Sequence, residues 1–204
     1  GLQVWPTFIV GNVGTYLSAV NKFDAARART LIKIARANKL YIKGHYTDYV
    51  SNPEDYPKAG MGAANVGPEL SHAEYEAIIK LSTIEDKLLQ KGLIEAKSRA
   101  SEKIKESIIS SGRWRKWLTR EEKGLNFDQL APDRQAWLLG SCARYVLTSP
   151  EIIEAKSKLL SNLRKHLVHG EGFIIAEIGK VIEKYVNAFN LRSLNYLLDL
   201  QLTE

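Results

Sequence analysis

The stretch LYIKGHYTDYV, residues 40–50, carries a short apolar run into His45, with Asp48 three places further on. A neutral imidazole is a common ligand for divalent metals, and a nearby carboxylate fixes its orientation. The same pair also suits a purely structural role, with His45 hydrogen-bonded at a strand end and Asp48 capping the following turn. A second stretch of the same kind, GMGAANVGPELS, residues 60–71, ends in polar residues around Gly67: Asn65 before it and Glu69 after Pro68. Glu69 also stands near a helix start, where the dipole favours a carboxylate. Two such segments suggest a site built at strand ends. Gly60, Gly62 and Gly67 do not form a dinucleotide-binding G-x-G-x-x-G, and no G-x-x-x-x-G-K-[ST] is present to cradle a nucleotide phosphate. His166 and His169 lie near HGEG without a carboxylate motif of metal-binding spacing around them. SSGRWRKWLTREEKG, residues 110–124, is the one aromatic and basic cluster, suited to stacking bases or meeting a partner. Trp114 and Trp117 stand one helical turn apart, which favours packing on a neighbouring helix.

The elements that must position these residues follow from periodicity. Thr7 to Val10 is a β-branched and aromatic strand closed by Gly11. Asp24 caps a helix whose apolar positions are Leu31, Ile34 and Ala35. LYIKGH and GAANVG are the second and third strands, and the absence of two-residue hairpin turns makes the sheet parallel. From there the pattern is helical. Ser71 and Glu74 form an S-x-x-E capping box, followed by a seam through Tyr75, Ile78, Ile79, Leu81, Ile84, Leu88, Leu89 and Leu93, with a break near Gly92. Further helices are expected at Pro132–Leu147, Pro150–Leu167 and Ile174–Phe189.

Parallel strands tipped with polar residues are the repeating unit of a (β/α)8 TIM barrel. The expected fold class is therefore α/β: residues 1–70 as the last units of such a barrel, strands six to eight, and residues 71–204 as an all-helical region packing on it. A small open doubly wound sheet is the alternative, although three strands are thin for it. The chain opens without methionine, almost directly on a strand, and is expected to be a fragment whose unclosed strands expose an edge at Thr7–Val10 and an apolar sheet face.

Composition narrows the function classes. With 45% hydrophobic and 25% charged residues in 204, the chain is globular rather than disordered. The net charge of +6 is spread evenly, 8 basic against 5 acidic residues in 1–70 and 21 against 18 in the remainder, which argues against a nucleic-acid surface. A single cysteine, Cys142, rules out an intrachain disulfide. No apolar run reaches the ~18 residues of a membrane span, and there is no secretory signal pattern, so no membrane partner is expected and a cytoplasmic location is the default.

The runs PTFIVGNVGTYL and KGHYTDYVSNPEDYPKAGMGAANVGPELSHAEYEAI, with the later IEDKLL and LTSPEI, resemble the non-catalytic subunit family of class II D-tagatose-bisphosphate aldolase, often labelled tagatose-6-phosphate kinase. The resemblance covers nearly the whole chain and is most specific from Lys43 to Glu74. It implies a class II aldolase-type barrel with a helical extension. The implied role is accessory: supporting a catalytic aldolase subunit in galactitol or N-acetylgalactosamine breakdown, with a sugar phosphate as a further ligand. Catalytic class II aldolases hold zinc through strand-end histidines. His45 occupies the strand-seven ligand place and NVGPEL resembles the strand-eight NVGTEL segment, whereas GNVGT stands where those enzymes show GTxHG, leaving Gly14 at a ligand position. On this resemblance His45 and Asp48 are the candidate catalytic residues and His45 the candidate ligand of a divalent metal such as zinc. Asn12, Lys43, Asn65, Gly67 and Glu69 are the candidate substrate-binding residues. The alternative is that the barrel is itself a metal-dependent sugar or sugar-phosphate isomerase, epimerase or aldolase that uses His45 and Asp48.

Overall fold

A computed structural model describes residues 7–194. The chain divides into two compact units, Gly1–Gly67 with Ile182–Glu204, and Pro68–Val181.

The first unit holds a parallel sheet of three strands in the order β1 (Phe8–Gly11), β2 (Tyr41–Gly44), β3 (Ala63–Ala64). Phe8 faces Tyr41 and Gly11 faces Gly44 in the first pairing; Lys43 faces Ala63 in the second. The expected parallel arrangement is present, with β3 only two residues long. Helix α1 (Ala25–Ala37) connects β1 to β2, and its N-terminus is capped as expected: the Asp24 side chain accepts from the Arg27 N–H at 3.0 Å. Its buried positions are Ala28, Ile32 and Ala35, while Ile34 is 58% exposed. Ile34 lies two residues, about 200° of helix, from Ile32 and so cannot share its face. A short helix, α2 (Asp55–Ala59), follows β2. Ile42 and Gly44 point into a core of Val13, Phe23, Ala28, Val50 and Tyr56. Gly44 allows close packing there: a Cβ would stand 3.0 Å from the Tyr56 ring and 3.3 Å from the Met61 methyl, so these side chains would have to shift by a few tenths of an ångström. Phe23 stacks on Tyr56 at 4.0 Å, and Phe189 packs on the same tyrosine at 5.4 Å. Phe8, Val10 and Tyr41, alternating onto the other sheet face, remain exposed at 42%, 60% and 47%.

The second unit is helical, and no strand follows β3 among the described residues. Helix α3 runs Pro68–Gln90. It starts at Pro68, not at a Ser71/Glu74 capping box. A proline lacks the N–H that a first helical position would leave orphaned, so it suits that place, and the helix begins four residues before the His72 start that the S-x-x-E pattern suggests. Ser71 Oγ instead donates to the Pro68 carbonyl at 3.0 Å, and Glu74 pairs with Lys156 at 2.9 Å. The buried stripe is Tyr75, Ala77, Ile78, Leu81, Ser82 and Glu85; Ile84 and Leu93 of the expected seam are exposed at 37% and 51%. Gly92, at φ +67°, ends the helix where a break was expected: its N–H donates to Leu89 and that of Leu93 to Leu88, the paired bonds of a Schellman motif.

Helices α4 (Ala100–Ser111), α5 (Pro132–Cys142), α6 (Pro150–Arg164) and α7 (Gly170–Ala188) follow. The last turns of α7, from Ile182, belong to the first unit. Short 3-10 turns occupy Arg113–Trp117, Phe127–Gln129 and Ala143–Tyr145. Trp114 is buried and meets Phe127 edge-on at 5.2 Å, so this tryptophan serves the core. Ile78, Leu81, Ile104, Ile108, Leu138, Ile152 and Leu159 form the apolar centre, each burial worth roughly 1.5–3 kcal/mol. One buried charge interrupts it. Glu85 accepts from the Ser98 N–H at 3.0 Å, the Ser98 hydroxyl at 2.7 Å and Asn162 at 2.6 Å, which explains a carboxylate on the buried stripe. His166 Nε2 sits 3.1 Å from the Leu93 carbonyl. No helix among the described residues is long and apolar enough to cross a membrane.

Candidate functional site

The carboxyl ends of β1, β2 and β3 bring His45 and Asn65 together. His45 is the first residue past β2 and Asn65 the first past β3; Asn65 Nδ2 lies 3.5 Å from His45 Nε2. The register that pairs Lys43 with Ala63 sets this spacing, since parallel neighbours advance together. Lys43 is half-buried on the sheet face shared with Tyr41. Asn12, one residue past β1, is exposed and turned back on its own loop, where Oδ1 accepts from the Gly14 N–H at 3.0 Å.

Asp48 faces away from the solvent, 2% exposed, and its carboxylate accepts from the Gly67 N–H at 2.8 Å. The loop after β2 is thereby tied to the loop after β3. The Thr47 N–H reinforces the tie by donating to the Asn65 carbonyl at 3.1 Å. Glu69 lies in the first turn of α3, where the exposed amides of the helix start favour its charge.

The loop itself is fastened carbonyl by carbonyl. The His45 carbonyl accepts from the Thr15 hydroxyl at 2.7 Å, Tyr46 and Asp48 accept from Asn21 Nδ2 at 2.6 and 2.9 Å, and Thr47 accepts from the Tyr185 hydroxyl at 3.0 Å. Thr15, Asn21 and Tyr185 are the residues that reading the sequence missed. Their partners lie 30, 25, 27 and 138 positions away, so no local pattern announces them. What they stabilise is an uncommon backbone: Tyr46 and Tyr49 hold φ of +54° and +59°, a left-handed conformation that costs a side-chain-bearing residue about 1–2 kcal/mol.

Gly14, at the position where resemblance to catalytic aldolases would place a ligand, has φ +88°, and a Cβ there would stand 2.8 Å from that of Asp24. The turn after β1 thus accommodates only glycine without rearrangement. Among the described residues no three His, Cys, Asp or Glu side chains converge to hold a metal ion. Among the described residues the donors at these strand ends are the His45 imidazole, the Asn12 and Asn65 amides and the Asp48 carboxylate, already bonded to a backbone amide; this set does not fit a catalytic zinc shell, which takes three protein ligands and an open position. A cavity of about 330 Å³ in this unit is lined by Tyr56, Met61, Ala64, Phe189 and Leu191 among others, and is mostly apolar.

The model of the family described as D-tagatose-1,6-bisphosphate aldolase subunit GatZ/KbaZ-like matches residues 9–190. The chain belongs to that GatZ/KbaZ-like family. A solved structure described as a probable tagatose 6 phosphate kinase from Sinorhizobium meliloti 1021 is similar in fold, with a TM-score of 0.65 and 20% identity, over 89% of this chain and 52% of that one. The GatZ/KbaZ-like chain therefore spans about half the length of the structure it matches. No individually curated protein matches it.

Proposed function

We propose that the protein acts as a non-catalytic accessory subunit, supporting the activity and stability of a catalytic class II D-tagatose-1,6-bisphosphate aldolase in the cytoplasmic breakdown of galactitol or N-acetylgalactosamine. The observation that carries this reading is the commitment of Asp48: a carboxylate 2.8 Å from the Gly67 amide and 2% exposed is spent on holding two loops together. Its burial keeps it from the solvent-facing position a base would take to remove a proton from a substrate. Gly14 supports the same reading, since its position leaves no room for a ligating side chain.

On this account β1, β2 and β3 are strands six to eight of a TIM-type barrel, residues 1–70 its last units and residues 71–204 a helical region. The bare sheet face of Phe8, Val10 and Tyr41 is the interior that the other strands would cover. His45, Lys43, Asn65, Asn12 and Gly67 border the barrel mouth, with Glu69 next in the chain. There His45 and Asn65 serve as polar contacts for a sugar phosphate or for the partner's loops, without a catalytic metal.

The test is reconstitution. The whole protein is purified with and without the catalytic class II aldolase subunit, and cleavage of tagatose 1,6-bisphosphate and the half-life of activity on heating are measured. The accessory reading expects no turnover by the protein alone and a longer-lived, faster aldolase when both are present. Turnover by the protein alone, abolished by a chelator, favours the metal-dependent epimerase or aldolase instead.

A further inference from the structure

The helical unit carries a second cluster that the accessory reading does not use. Arg113 and Arg144 both lie against one ring: their guanidinium carbons stand 5.0 and 4.7 Å from the centre of Tyr145. Arg144 is also 5.4 Å from the Trp117 ring, and Lys116 covers that ring at 5.2 Å. Three cations are thus gathered around two aromatic rings. None of them has a carboxylate partner among the described residues, and Glu122 of the same segment pairs with Arg134 at 2.8 Å.

Gly112, Arg113, Lys116 and Tyr145 of this cluster line an open cavity of about 300 Å³. Its charged side chains, Arg113 and Lys116, only donate. Arg144 Nη2 donates to the Tyr145 hydroxyl at 2.7 Å, which leaves the hydroxyl's own hydrogen for another acceptor and makes it a stronger donor. Buried in the same cluster, Arg144 Nε and Trp117 Nε1 have no hydrogen-bond acceptor among the described residues. Arg144 Nε and Trp117 Nε1 are the groups that lack an acceptor, and an anion would offset the repulsion among the three cations. Gly112, at φ +64° with no atom within 4 Å of a built Cβ, keeps the rim open.

We infer that Arg113, Lys116 and Tyr145, with Arg144 behind the tyrosine, form a binding site for a small phosphate-bearing anion in the helical unit. A phosphate monoester matches the chemistry: oxygens for the Arg113 fork, a point charge at Lys116 and one hydroxyl donor, in a volume suited to a small organic phosphate. The site lies outside the strand ends and stands or falls independently of the accessory role.

Inorganic phosphate and glycerol 3-phosphate, with glycerol as the uncharged control, are titrated into the whole protein at low ionic strength, with binding followed by calorimetry and by amide chemical shifts. Saturable binding of both phosphates and none of glycerol is expected. Arg113→Gln with Lys116→Gln should weaken it at least about ten-fold, the loss expected when charge-assisted hydrogen bonds are removed. Tyr145→Phe, which keeps the ring and hence the fold, should weaken it several-fold, and shifts should concentrate at residues 112–117 and 144–145. Arg115→Gln serves as the charge control, because Arg115 covers the Trp114 ring at 4.5 Å and does not line this cavity. The inference is overturned by non-saturable binding, by equal weakening in Arg115→Gln and the double variant, or by full affinity in Tyr145→Phe and the double variant.

Discussion

Replacing Asp48 separates a structural carboxylate from a catalytic one. Asp48→Ala removes the acceptor that the Gly67 N–H meets at 2.8 Å and leaves that amide, half-buried, without it. A hydrogen bond to a charged group contributes about 1.5–3 kcal/mol, so a loss near 2 kcal/mol is expected. Asp48→Asn retains an oxygen in the same place and forfeits only the charge, so its cost should be about half or less. With a urea m-value of about 2 kcal/mol/M, Asp48→Ala lowers the unfolding midpoint by about 1 M and Asp48→Asn by about 0.5 M or less. The assay is urea unfolding followed by far-UV circular dichroism and by tyrosine and tryptophan fluorescence. An Asp48→Ala protein that unfolds at the wild-type midpoint refutes the assignment, as does loss of function in Asp48→Asn at unchanged stability.

Three further expectations follow from other residues. Gly14→His places a side chain at φ +88°, with its Cβ at 2.8 Å from that of Asp24, so it should cost at least about 1–2 kcal/mol and bind no zinc, checked by melting and metal analysis. Burial holds the His72 imidazole below its ordinary value of 6.5, against the opposing pull of Glu76 at 3.7 Å. The unfolded chain therefore binds that proton more readily, and the contribution is complete above pH about 6.5 and lost as pH falls through the depressed folded value. The melting temperature should fall from pH 7.5 to 5.5, and less steeply in His72→Gln. Burial pushes the Cys142 thiol up to about 11, so it should react with iodoacetamide at pH 8 only at the rate of unfolding, and quickly in urea.

What could be read from the sequence was whatever is local. Asp24 announces a helix because its carboxylate reaches an amide three residues away, and Gly92 announces a break because its neighbours cannot take φ +67° cheaply. The parallel sheet followed from β-branched runs separated by a helix and a long loop. Ser71 and Glu74 misled because the box motif is satisfied by residue type alone, while Pro68 already supplied a start. Ile34 and Ile84 misled for a related reason: an apolar residue near a stripe is not on it until its angular position is fixed by what lies opposite. His45 and Asn65 were legible as strand-end neighbours, since both follow a short apolar run. The fastening of the loop between them by Thr15, Asn21 and Tyr185 was not, because each side chain reaches a backbone carbonyl that carries no signature in the sequence.

The most direct test of the accessory role is one comparison of the whole protein, wild type and His45→Ala, measured for bound divalent metal, for turnover of sugar phosphates alone, and for stimulation of the catalytic aldolase subunit. His45 sits beside Asn65 at 3.5 Å, with no second imidazole or free carboxylate among the described strand-end residues. Neither version should carry stoichiometric metal or turn over sugar phosphates alone, and both should stimulate the aldolase. Stoichiometric metal and sugar-phosphate turnover in the wild type, both lost in His45→Ala, would contradict the accessory role.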